Sequence, residues 1–283
     1  MSVLVVWRNI VNERVTSVYM ASDSRFSFGQ HHFDHGKKVF ACKNDASLFG
    51  YCGGVEYATY IIQSVVDLIE AGVLYKKNDT CETRVKIVTE KFGELWKHYY
   101  GIIESRNTEI VYCTTATNTK SSQIYLINIT KAGVISFKPI DHETIKGPRS
   151  TDYIQYCVIG SGGDAFSTEL TKYYGTIIKE KNQFAYITSR VMFQILSKIV
   201  KESDNSKDYG GFPQLAYIYN NKRSRTKLCG VIFNDECCLG GCSVEIASDN
   251  DFADTLKWFN ENFELCDPHT KKKKEGAQTQ PYI

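Results

Sequence analysis

The chain has 283 residues, 42% of them apolar and 23% charged, with 34 Lys and Arg against 32 Asp and Glu for a net charge of +2. That length and apolar content suit a folded domain with a sizeable core and argue against wholesale disorder. The near-balance of charge offers no basic excess for nucleic acid or an anionic membrane surface, and no apolar run reaches the roughly 18 residues a membrane span needs.

The opening apolar run, 3–7, is too short and wrongly flanked for a signal peptide, so a cytoplasmic protein is expected. The ten cysteines are spread through the chain, several inside apolar runs, and read as reduced, buried thiols. Cys229, Cys237, Cys238 and Cys242 cluster in sequence but lack the paired C-x2-C spacing of structural zinc sites, so no metal is expected.

Residues 3–9 and 14–22 are rich in β-branched and aromatic side chains and predict two strands joined by a turn around 9–13. Such a hairpin returns Asp23 to the side of Ser2. Residues 24–36 read as a loop carrying His31, His32, Asp34 and His35. On a helix His32 and His35 would face together as metal ligands, but a loop gives them no such geometry. Short strands follow over 38–42 and 46–52.

Apolar residues at helical spacing over 55–72, closed by Gly72, predict a helix, and a second is expected over 81–104. Strands are expected over 109–118, 122–130 and 134–140, then a loop over 141–153 and a short strand over 156–159 entering Gly160-Ser161-Gly162-Gly163. That glycine-rich turn lacks the Gly-Lys-Ser/Thr ending of a phosphate-binding loop. Helices over 164–179 and 185–202, strands over 212–219, 227–233 and 237–246, and a closing helix over 251–263 complete the pattern. The alternation of strand groups and helix pairs predicts an α/β (α+β) fold, two antiparallel sheets packed face to face between helical layers. One domain is expected over 1–266. Residues 267–283, with Lys271 to Lys274, read as a solvated polar tail, with a partner-docking tail as the alternative.

Ser2 is the first residue with chemical promise. Once Met1 is removed, a serine there carries both a hydroxyl and a free α-amine, whose pKa of roughly 7.7 to 8.0 suits a base near neutral pH. A lysine beside the hydroxyl favours its ionised form, and an aspartate holds that lysine in place. Asp23 and Lys38 are the nearest candidates.

Ala21-Ser22-Asp23-Ser24-Arg25, Lys37-Lys38-Val39, Gly50-Tyr51-Cys52-Gly53-Gly54 and Ile159-Gly160-Ser161-Gly162-Gly163 occur in the order and approximate spacing of proteasome-family N-terminal-nucleophile hydrolases. From Ser2 to about residue 200 the chain resembles a catalytic-type proteasome subunit, or the peptidase of the bacterial two-component ATP-dependent protease. The resemblance implies a four-layer αββα sandwich and cleavage of peptide bonds through an acyl-enzyme on Ser2, with no cofactor. It implies Lys38 and Asp23 as the pair beside the nucleophile, with Lys37 in place of Lys38 if the register slips by one. It implies Gly53 as the oxyanion-hole amide, Ser161 beside the nucleophile's amine, and a second supporting aspartate at Asp208 or Asp204. Ser27 and Gly53 flank a slot for an extended peptide, and Tyr51 either shapes the specificity pocket or points into the core.

Where the family carries threonine, this chain has serine, which lacks the methyl that restricts χ1. A peptide or protein substrate, a homo-oligomeric ring and an unfoldase or cap partner are the associations the resemblance implies. A catalytically inactive subunit with a structural or sensor role, and a hydrolase of small amides, are the alternatives.

Overall fold

The computed structural model describes residues 2–99, 107–116, 121–146, 151–181, 190–203, 208–220, 226–247 and 255–277, with the backbone alone over 176–181. Strands β1 (Leu4–Val11) and β2 (Arg14–Ser22) form the expected antiparallel hairpin. Its turn is tighter than the sequence suggests, only Asn12 and Glu13, both with left-handed φ of 50° and 61°. Two successive positive φ values match the right-handed twist of the flanking strands, which is why this turn closes the hairpin without splaying it.

Strands β3 (Phe26–Phe28) and β4 (His31–Phe33) pair within the segment expected to be loop, so the histidines lie on a small hairpin. Helical spacing of His32 and His35 is thereby lost, and Asp34 pairs with Arg25 instead. Next come β5 (Val39–Ala41) and β6 (Ser47–Gly53), then helices α1 (Val55–Glu70) and α2 (Cys81–Lys97). The Thr80 side chain accepts the Thr83 N–H and caps α2 at its start. That helix ends at Lys97, short of the expected 104; residues 100–106 lie outside the described set. Strands β7 (Thr108–Thr115), β8 (Ser122–Ile129) and β9 (Ile135–Pro139) then form a meander with β5 and β6.

Part of the expected 141–153 loop is a strand, β10 (Glu143–Lys146), which pairs antiparallel with β11 (Tyr153–Ile159), Glu143 opposite Tyr156 and Lys146 opposite Tyr153. Helices α3 (Gly163–Lys181) and α4 (Arg190–Lys201) follow, then β12 (Gln214–Tyr219) and β13 (Thr226–Phe233). Where one strand was expected over 237–246, Gly240 and Gly241 break it into β14 (Glu236–Leu239) and β15 (Cys242–Ser243).

The expected closing helix is not formed within its described part. Residues 258–260 and 265–266 are strands β16 (Trp258–Asn260) and β17 (Leu265–Cys266), while 251–254 lie outside the described set. The Asn260 side chain accepts from the Asn262 and Glu264 N–H groups, and Phe263 takes a left-handed φ of 59°, so a tight turn replaces the helix. Trp258 lies over Gly230 of β13, where an added Cβ would come within 2.1 Å of the indole. Residues 267–277 fold back on β17: Asp267 N donates to Lys272 O at 2.8 Å and Lys274 N to Leu265 O at 2.9 Å. Backbone pairing thus holds this first part of the expected tail, whose polar side chains stay in solvent.

The described residues form a mixed α/β structure of four helices and three sheets. A ten-stranded sheet runs β10-β11-β1-β2-β12-β13-β14-β15, with β16 and β17 branching from β13; the five-stranded sheet runs β5 to β9, and β3-β4 stands apart. Strand alternation sends Val5 and Trp7 into one core with Phe166, Leu170, Phe193 and Leu196 of α3 and α4. Leu4 and Val6 enter a second core with Val39, Leu48, Val111 and Ile124 of the five-stranded sheet. A third core joins that sheet to α1 and α2 through Phe49, Tyr57, Ile61, Val88 and Phe92. Gly50 marks a close approach of the sheets, since a Cβ there would meet Met20 Sδ at 2.6 Å. No helix among the described residues is long and apolar enough to cross a membrane.

Candidate active site

The β1–β2 hairpin sets the site's first contacts. Asp23 N donates to Val3 O at 3.3 Å, and Val3 N donates to Asp23 Oδ1 at 3.0 Å, which seats Asp23 beside the Ser2–Val3 peptide. Lys38 Nζ donates to the same Oδ1 at 2.9 Å, and both side chains are buried. One carboxylate oxygen therefore holds the lysine ammonium and the backbone that carries Ser2. Asp23 Oδ2 accepts from Arg25 N at 3.2 Å and Gly210 N at 3.1 Å. Hydrogen bonds from these donors replace the hydration that the carboxylate loses on burial. Lys37, by contrast, points to the Phe40 ring, its ammonium 4.5 Å from the centroid, and burial lowers its pKa.

The 160–163 turn holds Ser2 from the other side. Ser2 N donates to Ser161 Oγ at 3.2 Å, and Gly162 N donates to Ser2 O at 3.0 Å. Gly160 adopts φ +91°, and a Cβ there would lie 2.3 Å from Ser2 O, so only glycine lets the turn approach this closely. Gly53, the last residue of β6, adopts φ +107° with Asn107 O occupying the space a Cβ would need. A cleft of about 510 Å³ opens here, lined by Ser2, Gly53, Asn107, Glu109, Gly160 and Ser161 among others.

Cys52 also lines this cleft, but burial, with Asp23 and Glu109 nearby, pushes its thiol up to about 12 against the opposing charge of Lys38. It is a neutral thiol at physiological pH and not a competing nucleophile.

Tyr51 lies in the helix-side core against Phe40, with its hydroxyl 2.8 Å from Thr59 Oγ1, and does not line the cleft at Ser2. Ser27 is buried on β3 opposite His32. Asp208 opens the turn from which the Gly210 amide donates to Asp23 Oδ2. Asp204 lies outside the described residues.

Gln214 is the site residue that sequence reading misses. Its Oε1 accepts from Lys38 N at 3.0 Å and Val39 N at 3.3 Å, while its Nε2 donates to Asp23 O at 3.0 Å and Gly36 O at 2.9 Å. One buried amide thus ties the backbone of Asp23 to that of Lys38. The signal was a lone glutamine opening the apolar run Leu215-Ala216-Tyr217-Ile218, a pattern that by itself names no role.

All ten cysteines are free thiols, and among the described residues no group of His, Cys, Asp and Glu side chains is arranged to hold a metal ion. No protein-family model matches the chain, and no curated protein matches it significantly.

Proposed function

We propose that the chain is an N-terminal-nucleophile hydrolase of proteasome type, cleaving amide bonds in peptides with Ser2 as nucleophile after removal of Met1. The observation that carries this reading is the shared Asp23 Oδ1, which joins the Lys38 ammonium and the Val3 amide next to Ser2 in a buried cluster at the edge of a cleft. The two face-to-face sheets with a helix pair against each outer side support the four-layer αββα sandwich of that class.

In this mechanism the Ser2 hydroxyl attacks the substrate carbonyl carbon as its proton passes, directly or through water, to the Ser2 α-amine. Lys38 favours the ionised hydroxyl by charge, and Asp23 fixes Lys38. The Gly53 N–H stabilises the developing oxyanion, a contribution of about 2.7–4 kcal/mol for a well-aimed donor. Collapse of the tetrahedral intermediate breaks the C–N bond and forms an ester on Ser2, and the departing amine takes the proton. Water then attacks the ester with the α-amine again as base, restoring the serine.

Assembly into a homo-oligomeric ring belongs to the same proposal. Tyr60 on α1 and Phe28 and Phe33 on the β3–β4 hairpin expose large rings that a neighbouring copy would cover. The test is a peptide β-lactone, which acylates an activated hydroxyl. Tryptic mass spectrometry is expected to find the acyl group on Ser2, lost in Lys38→Met, with fluorogenic peptide hydrolysis lost in parallel. Labelling elsewhere, or turnover surviving in Ser2→Ala, removes Ser2 from the chemistry.

A further inference from the structure

Far from Ser2, the space between the two sheets opens into a second cavity. Strand alternation turns Leu4 and Val6 toward the five-stranded sheet, and the next residue in that row is Arg8. Its Nη1 lies 3.5 Å from Ser122 O on β8, so the guanidinium reaches from one sheet to the other. The cavity beside it measures about 160 Å³ and is lined by Arg8, Gln123, His142, Gln155 and Cys157 with apolar neighbours. It shares no residue with the cleft at Ser2.

Hydrogen-bond polarity decides what this cavity accepts. Arg8 Nε donates to Gln155 Oε1 at 2.6 Å. Because arginine only donates, the atom facing it must be the amide oxygen, and Gln155 is left with its NH2 group to offer. Among the described residues neither Gln155 Nε2 nor Arg8 Nη2 has a protein partner, and Arg8 forms no ion pair. Burial lowers the Arg8 pKa, yet a guanidinium remains charged under all physiological conditions. The cavity thus holds a partly desolvated cation and an unused amide donor with no protein carboxylate to answer them.

We propose that this cavity binds one small oxyanion, a carboxylate or phosphate, held between Arg8 Nη2 and Gln155 Nε2. At about 160 Å³ it falls below the roughly 300–1,000 Å³ of sites for drug-sized ligands, which excludes a nucleotide or a peptide. An anion there joins β1 and β11 of one sheet to β8 of the other through Arg8, so its binding stabilises the packing of the two sheets. This site does not depend on the hydrolase reading.

Isothermal titration of the full chain with sodium phosphate and with sodium acetate, against sodium chloride at matched ionic strength, tests it. Saturable binding of either anion is expected, and which one binds tighter tells the tetrahedral from the planar ligand. Arg8→Met should weaken binding at least tenfold. Should that variant fail to fold, Gln155→Glu keeps the side-chain size, gives Arg8 a carboxylate of its own and should weaken binding by at least the same factor. No saturable binding of either anion to the wild type, or unchanged affinity in Gln155→Glu, overturns the proposal.

Discussion

Lys38 Nζ and Asp23 Oδ1 lie 2.9 Å apart, with the two side chains 1% and 0% exposed. A buried pair of this kind resists the loss of one partner, because the remaining charge stays in the interior with nothing to neutralise it. Lys38→Met should therefore destabilise the protein by about 3–5 kcal/mol. Adding Asp23→Asn should recover part of that loss by removing the stranded charge. Urea denaturation of the single and double variants measures both effects, and an additive double variant would mean that the pair is not coupled.

Gln214 holds the pair's backbone in place, and its replacement leaves buried partners unsatisfied on both sides. Gln214→Leu keeps the volume but strands Lys38 N, Val39 N, Asp23 O and Gly36 O. At about 1–3 kcal/mol for a buried group left without a partner, a loss of at least roughly 3 kcal/mol is expected in the same denaturation assay.

These two residues mark the boundary of what the sequence discloses. The β1–β2 hairpin, α1 and the meander of β5 to β9 follow from local periodicity, and the hairpin alone predicts that Asp23 returns to Ser2. Gln214 reaches the site only because β12 pairs with β2 from nearly two hundred residues away, with Gln214 opposite Ser22. No local pattern encodes that register. The misread segment at 258–263 has a different cause. Its apolar spacing fits a helix, but aromatic residues, which suit strands, and the Asn260 turn decide the outcome once β13 offers an edge. The turn after Asp208 shows a third limit: the Gly210 backbone amide reaches Asp23, and no side-chain pattern announces such a contact.

The Arg25–Asp34 pair gives the fold a defined response to acid. Arg25 Nε and Nη2 donate to the two Asp34 oxygens at 2.6 and 2.7 Å, and this hydrogen bonding holds the carboxyl below its ordinary value. A carboxyl with a depressed folded-state pKa contributes stability that is fully present above its unfolded value of about 3.9. That contribution is lost as pH falls through the lower folded value. The stability difference between wild type and Asp34→Asn should stay constant near neutrality and shrink below about pH 4. In Arg25→Met, an NMR titration of the Asp34 carboxyl should move upward; an unmoved titration would exclude Arg25 as its cause.

Thiol reactivity should follow burial. Cys242 is exposed, whereas Cys157 is half-buried with its thiol pushed up to about 11, and Cys52 is buried with its thiol at about 12. Brief iodoacetamide treatment of the native protein, read by peptide mass spectrometry, should alkylate Cys242 first and leave Cys52 unmodified until the chain unfolds. Early labelling of Cys52 would contradict the closed packing around Gly160 and the site.

The central claim is that Ser2 acts with its own α-amine, which exists only when Met1 is gone. Intact mass spectrometry of the untagged protein tests this before any substrate is known. The predicted mass is that of the chain lighter by one methionine residue and without acetylation. Uniform retention of Met1, or a blocked Ser2 amine, across independent preparations would contradict the mechanism and leave the buried Asp23–Lys38 cluster as a structural feature of the fold.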